Sequence, residues 1–211
     1  MLEKIILIGA GGHCKSVMDS IRDKFEIACI LDPSKIGEII MGTMVVGSDN
    51  MLKELYYKGI TNAFISIGSI GNTTTRRKIY KNLQLIGFKY PNIIDKSANV
   101  SIYSKLGAGI FIGKGAVVNA GAEIGDFSII NTKAIIEHDC NVGKFVHVAT
   151  AAVVCGGVNI GDDSHIGTNA TILQGINIGK NVMVGAGSVV LKNLTNSIRV
   201  AGNPAKEFKN E

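Results

Sequence analysis

No run of 18 apolar residues occurs in the 211-residue chain, so no membrane-spanning helix is expected. The first residues, MLEKIILIGAGG, hold only a short apolar run and no small-residue cleavage site, so no signal peptide is expected either. Cysteines are few: Cys14, Cys29, Cys140 and Cys155, with no CxxC spacing. That pattern excludes a disulfide scaffold and points to reduced thiols in a cytoplasmic protein. Aromatic residues make up 6% of the chain and nowhere interleave with basic ones; with a net charge of only +5, no nucleic-acid partner is expected. The densest basic run, Arg76-Arg77-Lys78, falls in an expected helix. It reads as a solvated helix face, with a phosphate contact as the alternative.

What the chain does have is a six-residue rhythm. From Ile94 to Val190 every sixth residue, 17 in all, is Ile, Val or Leu, without a slip in phase. If about a third of positions were aliphatic, chance would produce this on the order of once in 10⁸. Gly follows the aliphatic at 107, 113, 125, 143, 161, 167, 179 and 185, and a mostly small residue precedes it by two, as at Ala98, Ala116, Ser128 and Ala134. A helix repeats at 3.6 residues and a strand at 2, so six residues make one short strand and one turn. Three such sides close a triangular coil of 18 residues, and coils stack at the strand spacing of about 4.8 Å. The aliphatic fills the axis, the small residue shares the narrow interior, and Gly is expected to supply the turn conformation.

Residues 1–90 read differently. Short apolar runs at 2–8, 26–31 and 63–67 alternate with expected helices near 13–23, 49–58 and 72–86. This is the βαβ pattern of a parallel sheet covered by helices, a small α/β, Rossmann-like half-domain. The domains are expected at 1–90 and 91–211. The first strand ends in Gly9-Ala10-Gly11-Gly12-His13, and Asp32 closes the second. A dinucleotide fingerprint would want a third Gly where Cys14 stands. The turn is therefore either a plain strand-to-helix connection or an anion site at a helix N-terminus, fit for a nucleotide-linked ligand. A full NAD site is disfavoured, because the second mononucleotide unit is absent.

Three of the four histidines lie in the repeat region: His138, His147 and His165. His147 and His165 are 18 residues apart and should stack on one face of adjacent coils. His138 falls at a turn, between Glu137 and Asp139, and should point outward. An imidazole with a carboxylate beside it suits a base at neutral pH. A three-His zinc site of the gamma carbonic anhydrase kind is one alternative; surface histidines on a non-catalytic prism are another.

The segment Ile135-Ile136-Glu137-His138-Asp139-Cys140, followed by Gly143-Lys144-Phe145-Val146-His147-Val148, resembles the active-site coil of the hexapeptide-repeat sugar acetyltransferases. That group includes the bacterial UDP-4-amino-sugar N-acetyltransferases of bacillosamine synthesis and the sialic acid O-acetyltransferases. The Gly9–His13 turn, the Ile30-Leu31-Asp32 and Ile65-Ser66-Ile67-Gly68 strand ends, and the tail Val200-Ala201-Gly202-Asn203-Pro204-Ala205-Lys206 are similar too. The resemblance implies an α/β N-terminal half-domain followed by a left-handed parallel β-helix. It implies acetyl-CoA as co-substrate, no metal, a homotrimer with sites at its interfaces, and a role in bacterial surface glycan synthesis. His138 would be the general base, Asp139 would raise its basicity, and the Gly156 amide would hold the oxyanion. His147, Thr168 and Ala186 would contact acetyl-CoA. Gly11, Gly12, His13, Asp32 and Gly68 would hold a UDP-linked amino sugar. The chain departs from the pattern at Pro33, Cys14 and Asp95. Direct transfer is expected rather than an acyl-enzyme, with Cys140 and Cys155 as small fillers.

Overall fold

A computed structural model of the chain describes residues 2–21 and 24–208. It divides into two units: Met1–Gly68 with Thr73–Ile93, and Ser69–Asn72 with Ile94–Glu211.

The first unit is built on a five-stranded sheet. Its strands are β1 (Glu3–Ile8), β2 (Phe25–Leu31), β3 (Ile39–Ile40), β4 (Thr43–Gly47) and β5 (Asn62–Ile65), in the order β3-β4-β2-β1-β5. β1 pairs in parallel with both β2 and β5. Ile5, Ile6, Leu7 and Ile8 are all buried, as a central parallel strand covered on both faces requires. Helix α1 (Gly12–Ile21) buries Cys14, Val17, Met18 and Ile21, one face at helical spacing. The expected helix at 13–23 thus begins one residue earlier, and its positions 22 and 23 lie outside the described residues. The expected helix at 49–58 is a 3₁₀ turn, Asp49–Met51, leading into α2 (Leu52–Tyr57). Helix α3 (Thr74–Ile86) ends at Gly87, whose φ of 101° only Gly adopts freely. One expectation fails here: Arg76 is buried with Ile79 and Leu83 on the inner face of α3, Arg77 is half-buried, and only Lys78 of the basic run is exposed. The 3–4 spacing of these three residues turns them inward together, whatever their charge.

The second unit is a three-sided prism of stacked two-residue strands. Each strand pairs in parallel with the one 18 residues on, as Val117↔Ile135, Asn141↔Asn159 and His147↔His165 show. Three sheets result, of six, five and eight strands, the last ending in an antiparallel pair at Val200↔Glu207. From Ile112 to Val190 the sixth-residue aliphatics are at most 3% exposed and form one continuous core. Ala116, Ala122, Ser128, Ala134 and Cys140 fill the narrow slots beside them. Ser128 Oγ donates to Gly143 O at 2.8 Å and accepts from Val146 N at 3.1 Å, so a buried hydroxyl is satisfied in both roles.

The turn glycines work differently from the expectation. From Leu106 to Val184 the left-handed corner residue is the third after each aliphatic, not the first. Gly109, Gly115, Gly121, Gly157, Gly175 and Gly187 hold it, but so do Phe127, Lys133, Asp139, Phe145, Ala151 and Asn169. The glycine directly after the aliphatic is required for another reason. A Cβ at Gly125, Gly143, Gly161 or Gly167 would lie 2.6–2.7 Å from backbone atoms of the next coil. Close stacking, rather than φ, selects Gly there.

The three faces differ. One presents Lys105, Glu123, Asn141, Asn159 and Asn177, all exposed. A second presents a half-buried apolar stripe, Val117, Ile135, Val153 and Val189, with Thr171 among them. The third carries buried Phe111, Ile129, His147 and His165. Among the described residues no helix is long and apolar enough to cross a membrane.

Candidate active site

His138 and Asp139 sit at one prism corner, on the turn that follows the strand Ile135–Ile136. Asp139 is the left-handed residue of that turn, at φ 58°, a conformation short acidic side chains tolerate better than most. His138 Nδ1 lies 2.9 Å from Asp139 Oδ2. The carboxylate can only accept, so Nδ1 carries the proton and Nε2 of the neutral ring bears the lone pair. The hydrogen bond from His138 to Asp139 raises the imidazole pKa above its ordinary 6.5, slight burial opposes this, and the charges of Asp139 and Glu137 add to the rise. Glu137 is itself held by Asn119 of the preceding coil, at 2.9 Å. Both members of the pair are largely in solvent, with side chains 64% and 73% exposed.

Gly156 occupies the equivalent position one coil later. A Cβ there would stand 2.6 Å from His138 Nε2, so the ring lies directly against the Gly156 backbone. The neighbouring amides are engaged: Cys155 N donates to Ile172 O, and Gly157 N donates to His138 O at 2.9 Å. The Gly156 N–H has no partner among the described residues. This is a regular property of the turn. The second amide after each aliphatic is unused by the ladder, and at another corner it is capped by the next coil, as Asp126 Oδ1 caps Ala108 N and Asp162 Oδ1 caps Lys144 N. At Gly156, Thr168 and Ala186 no such cap is present among the described residues.

Thr168 and Ala186 are exposed and belong to a different corner from His138, at the far edge of the Val117–Val189 face. An extended six-residue side spans roughly 15–20 Å, so one chain does not bring them to the His138 imidazole. His147 lies on the remaining face, opposite the His138 corner. It is 8% exposed and fully engaged: Nδ1 donates to Ser69 O at 2.7 Å, and Asn131 Nδ2 lies 3.2 Å from Nε2. His165 packs edge-on against it, ring centroids 4.9 Å apart, and burial lowers its pKa. The expected stacking of these two on one face is what the structure shows. Nothing in the sequence signalled Asn131 or the Ser69 carbonyl, which reaches His147 from 78 residues away. Among the described residues no three His, Cys, Asp or Glu side chains are grouped to hold a metal ion. Cys140 is buried, with its thiol 3.1 Å from Cys155 O, while Cys155 is half-buried; burial pushes the Cys140 pKa up, away from a reactive thiolate.

The second set of candidates lies in the first unit, at the C-terminal ends of β1, β2 and β5. A cavity of about 340 Å³ is lined there by Gly9, Asp32, Pro33, Ile67, Thr75 and Lys78, among others. Open α/β sheets bind ligands at this end. Gly9 is forced: its φ is 105°, and a Cβ would clash with Ile67 Cγ1, far inside van der Waals contact. Gly11 and Gly12 have nothing within 4 Å of a built Cβ, so the first turn of α1 is open to a ligand. Gly68 backs onto His13, with 3.6 Å between a built Cβ and His13 Cβ. Cys14, where a third Gly was sought, is fully buried beneath the turn. Asp32 ties the turn together: Oδ2 accepts from Ala10 N at 2.8 Å, and Oδ1 from Ser34 N and Oγ at 2.9 and 2.7 Å. Partial burial disfavours its charge, but these bonds and Lys35 prevail and its pKa is lowered. Asp95 caps its own turn, with Oδ1 2.9 Å from Ser97 N. Lys78 belongs to the basic run for which a phosphate contact is the alternative reading, and here it lines the cavity; Thr75 has no such signal, but the strand-end rule applied to α3 points to it.

Comparison with known proteins follows the same division. A model of the PglD N-terminal domain matches residues 4–83, and a model of the hexapeptide repeat of succinyl-transferase matches residues 133–174 and 157–192. No curated protein matches the chain. Among solved structures, it is 34% identical to a histidine mutant of perosamine N-acetyltransferase from Caulobacter crescentus in complex with CoA and GDP-perosamine. That match covers 100% of this chain and 99% of that one, with a TM-score of 0.94. The acetyltransferase domain of PglB from Neisseria gonorrhoeae, in complex with acetyl coenzyme A, is 34% identical over 99% of this chain and 100% of that one, with a TM-score of 0.90. WeeI from Acinetobacter baumannii is 26% identical over 98% of this chain and 100% of that one, with a TM-score of 0.84.

Proposed function

The chain belongs to the hexapeptide-repeat, left-handed β-helix family of CoA-dependent sugar N-acetyltransferases, and on that premise we propose that it acetylates the amine of a nucleotide-linked 4-amino sugar from acetyl-CoA, in bacterial surface glycan synthesis. The observation that carries this reading is the His138–Asp139 pair. Its hydrogen bond at 2.9 Å turns Nε2 to an open corner as an acceptor, against the Gly156 amide, which has no partner among the described residues. As the sugar nitrogen attacks the thioester carbonyl, His138 Nε2 removes its proton. The Gly156 N–H stabilises the oxyanion, the C–S bond breaks, and the imidazolium returns the proton to the leaving CoA thiolate. Asp139 keeps Nδ1–H oriented and steadies the imidazolium between the two steps. A placed base of this kind supplies ~10²–10⁴-fold, and positioning of the two substrates supplies more.

The amides of Thr168 and Ala186, one coil apart and without a partner among the described residues, suit the amide-bearing arm of CoA. The cavity beside Gly9, the open turn at Gly11 and Gly12, and Asp32 with Gly68 suit the nucleotide and its diphosphate. His147, the residue expected to contact acetyl-CoA, is buried with both ring nitrogens engaged, and in this reading it serves the CoA side of the site by ordering Ser69 and Asn131. The active species is a homotrimer. Its support is twofold: the Val117–Val189 stripe is apolar and half-open in one chain, and the His138 corner is a full face away from Thr168 and Ala186. A closed three-fold ring joins one copy's His138 corner to the next copy's Thr168 corner. The four unpaired cysteines fit the cytoplasm, where acetyl-CoA is available.

The test is a thiol-release assay with acetyl-CoA and a panel of acceptors: UDP- and GDP-linked 4-amino sugars, and free and activated sialic acid. Turnover with a nucleotide-linked amino sugar is expected. Activity confined to sialic acid would replace N-acetylation by O-acetylation. For the assembly, Ile135→Glu is expected to reduce the mass by light scattering from three copies to one and abolish turnover; an unchanged trimer would refute the proposed interface.

A further inference from the structure

Solvent-exposed ion pairs are usually loose, because neither partner is held by its surroundings. The His138–Asp139 pair is exposed, yet its geometry is close. The neighbouring coil offers a reason. Asp139 N donates to Ala120 O at 3.1 Å, which sets the corner of Asp139 directly beneath the corner at Gly121. The Asp139 carboxylate then folds back over Gly121. A Cβ built on Gly121 would stand 2.5 Å from Asp139 Oδ1, while Oδ2 is the atom 2.9 Å from His138 Nδ1. With Oδ2 on the imidazole, Oδ1 occupies the space that a side chain at 121 would take.

Corner glycine is not otherwise obligatory in this prism. Lys133, Ala151 and Asn169 hold the same left-handed conformation at φ 56–57°. Gly115, at φ 62°, has only Lys133 Cγ at 3.6 Å from its built Cβ, and Gly175 and Gly187 have nothing within 4 Å. Gly109 and Gly121 are different: each lies under a side chain from the next coil, Phe127 in one case and Asp139 in the other.

We propose that Gly121 is a positioning residue for the acetyl transfer, acting through Asp139: its missing side chain is the slot in which the carboxylate is held against His138. The proposal rests on the reading of His138 as the base. Asp139 and Glu137 are the charged groups facing the ring from its own turn. The coils on either side bring Ala120-Gly121 and Cys155-Gly156-Gly157, with no acidic or basic side chain among them.

The experiment compares Gly121→Ala with Gly115→Ala in the full-length protein. Gly115→Ala puts the same residue at the same backbone conformation in a corner away from the pair, and so controls for corner strain. The readouts are the His138 titration by NMR and the pH profile of turnover. Gly121→Ala is expected to shift the His138 titration to lower pH, towards its ordinary value, and to lower turnover about three- to tenfold, a fraction of what a placed base supplies. Gly115→Ala should leave both unchanged. In an Asp139→Asn background, Gly121→Ala should add nothing, because the two act as one unit. An unshifted titration in Gly121→Ala, or an equal shift in Gly115→Ala, would overturn the proposal. A shifted titration with unchanged turnover would instead refute the role of His138 as the base. If Gly121→Ala does not fold, Gly121→Asn, a residue the corners already accept, carries the same measurement.

Discussion

Gly156→Ala separates chemistry from stability with one methyl group. The new Cβ would stand 2.6 Å from His138 Nε2 and 2.7 Å from Cε1. An unstrained contact needs about 3.5 Å, so the ring must retreat by roughly 1 Å. It can do so at little energetic cost, because His138 is 64% exposed at its side chain. The backbone at 156 is not left-handed, so alanine is unstrained there and stiffens the unfolded chain, a gain of about 0.4–1 kcal/mol. The amide proposed for the oxyanion is retained. A base displaced by 1 Å costs on the order of 10²-fold in rate. Turnover by thiol release should therefore fall ~10–100-fold, while the melting temperature is unchanged or slightly raised. Wild-type turnover in a folded Gly156→Ala protein would refute the placement of the reacting centre above this backbone.

Asp139→Asn removes the carboxylate charge that favours the imidazolium and leaves only a neutral amide oxygen to accept from Nδ1. The raised His138 pKa then falls, so the acid limb of the pH–turnover profile moves to lower pH while the plateau drops; an unmoved limb would show that another group titrates. Gly161→Ala places a Cβ 2.7 Å from Gly179 C and Lys180 N, backbone atoms that cannot swing aside. It should lose about 1–3 kcal/mol or more in chemical denaturation. Gly175→Ala, with φ 69° and open space, should lose only the roughly 1 kcal/mol of a left-handed alanine.

The prism was legible because its information is local and repeated. One aliphatic in six specifies the inward face, and 17 repeats leave no competing period. The function of its glycines was not legible from the same repeat. Whether Gly serves φ or close stacking depends on where the next coil passes, which the spacing does not encode. Arg76 was misread for a related reason: its type says solvent, and its register with Ile79 and Leu83 says core. The β3–β4 hairpin left no clear trace, since Ile39 and Met44 are apolar yet exposed. His138 could be singled out because its partner is its sequence neighbour. The fixing of His147 by Ser69 could not, because that bond joins positions 78 residues apart.

The most direct measurement is turnover of His138→Ala, with acetyl-CoA affinity measured by calorimetry on the same preparation. A loss of ~10²–10⁴-fold in turnover with affinity largely kept is expected, because only the proton acceptor has been removed. Near-normal turnover in that protein would contradict the assignment of the base and the mechanism built on it.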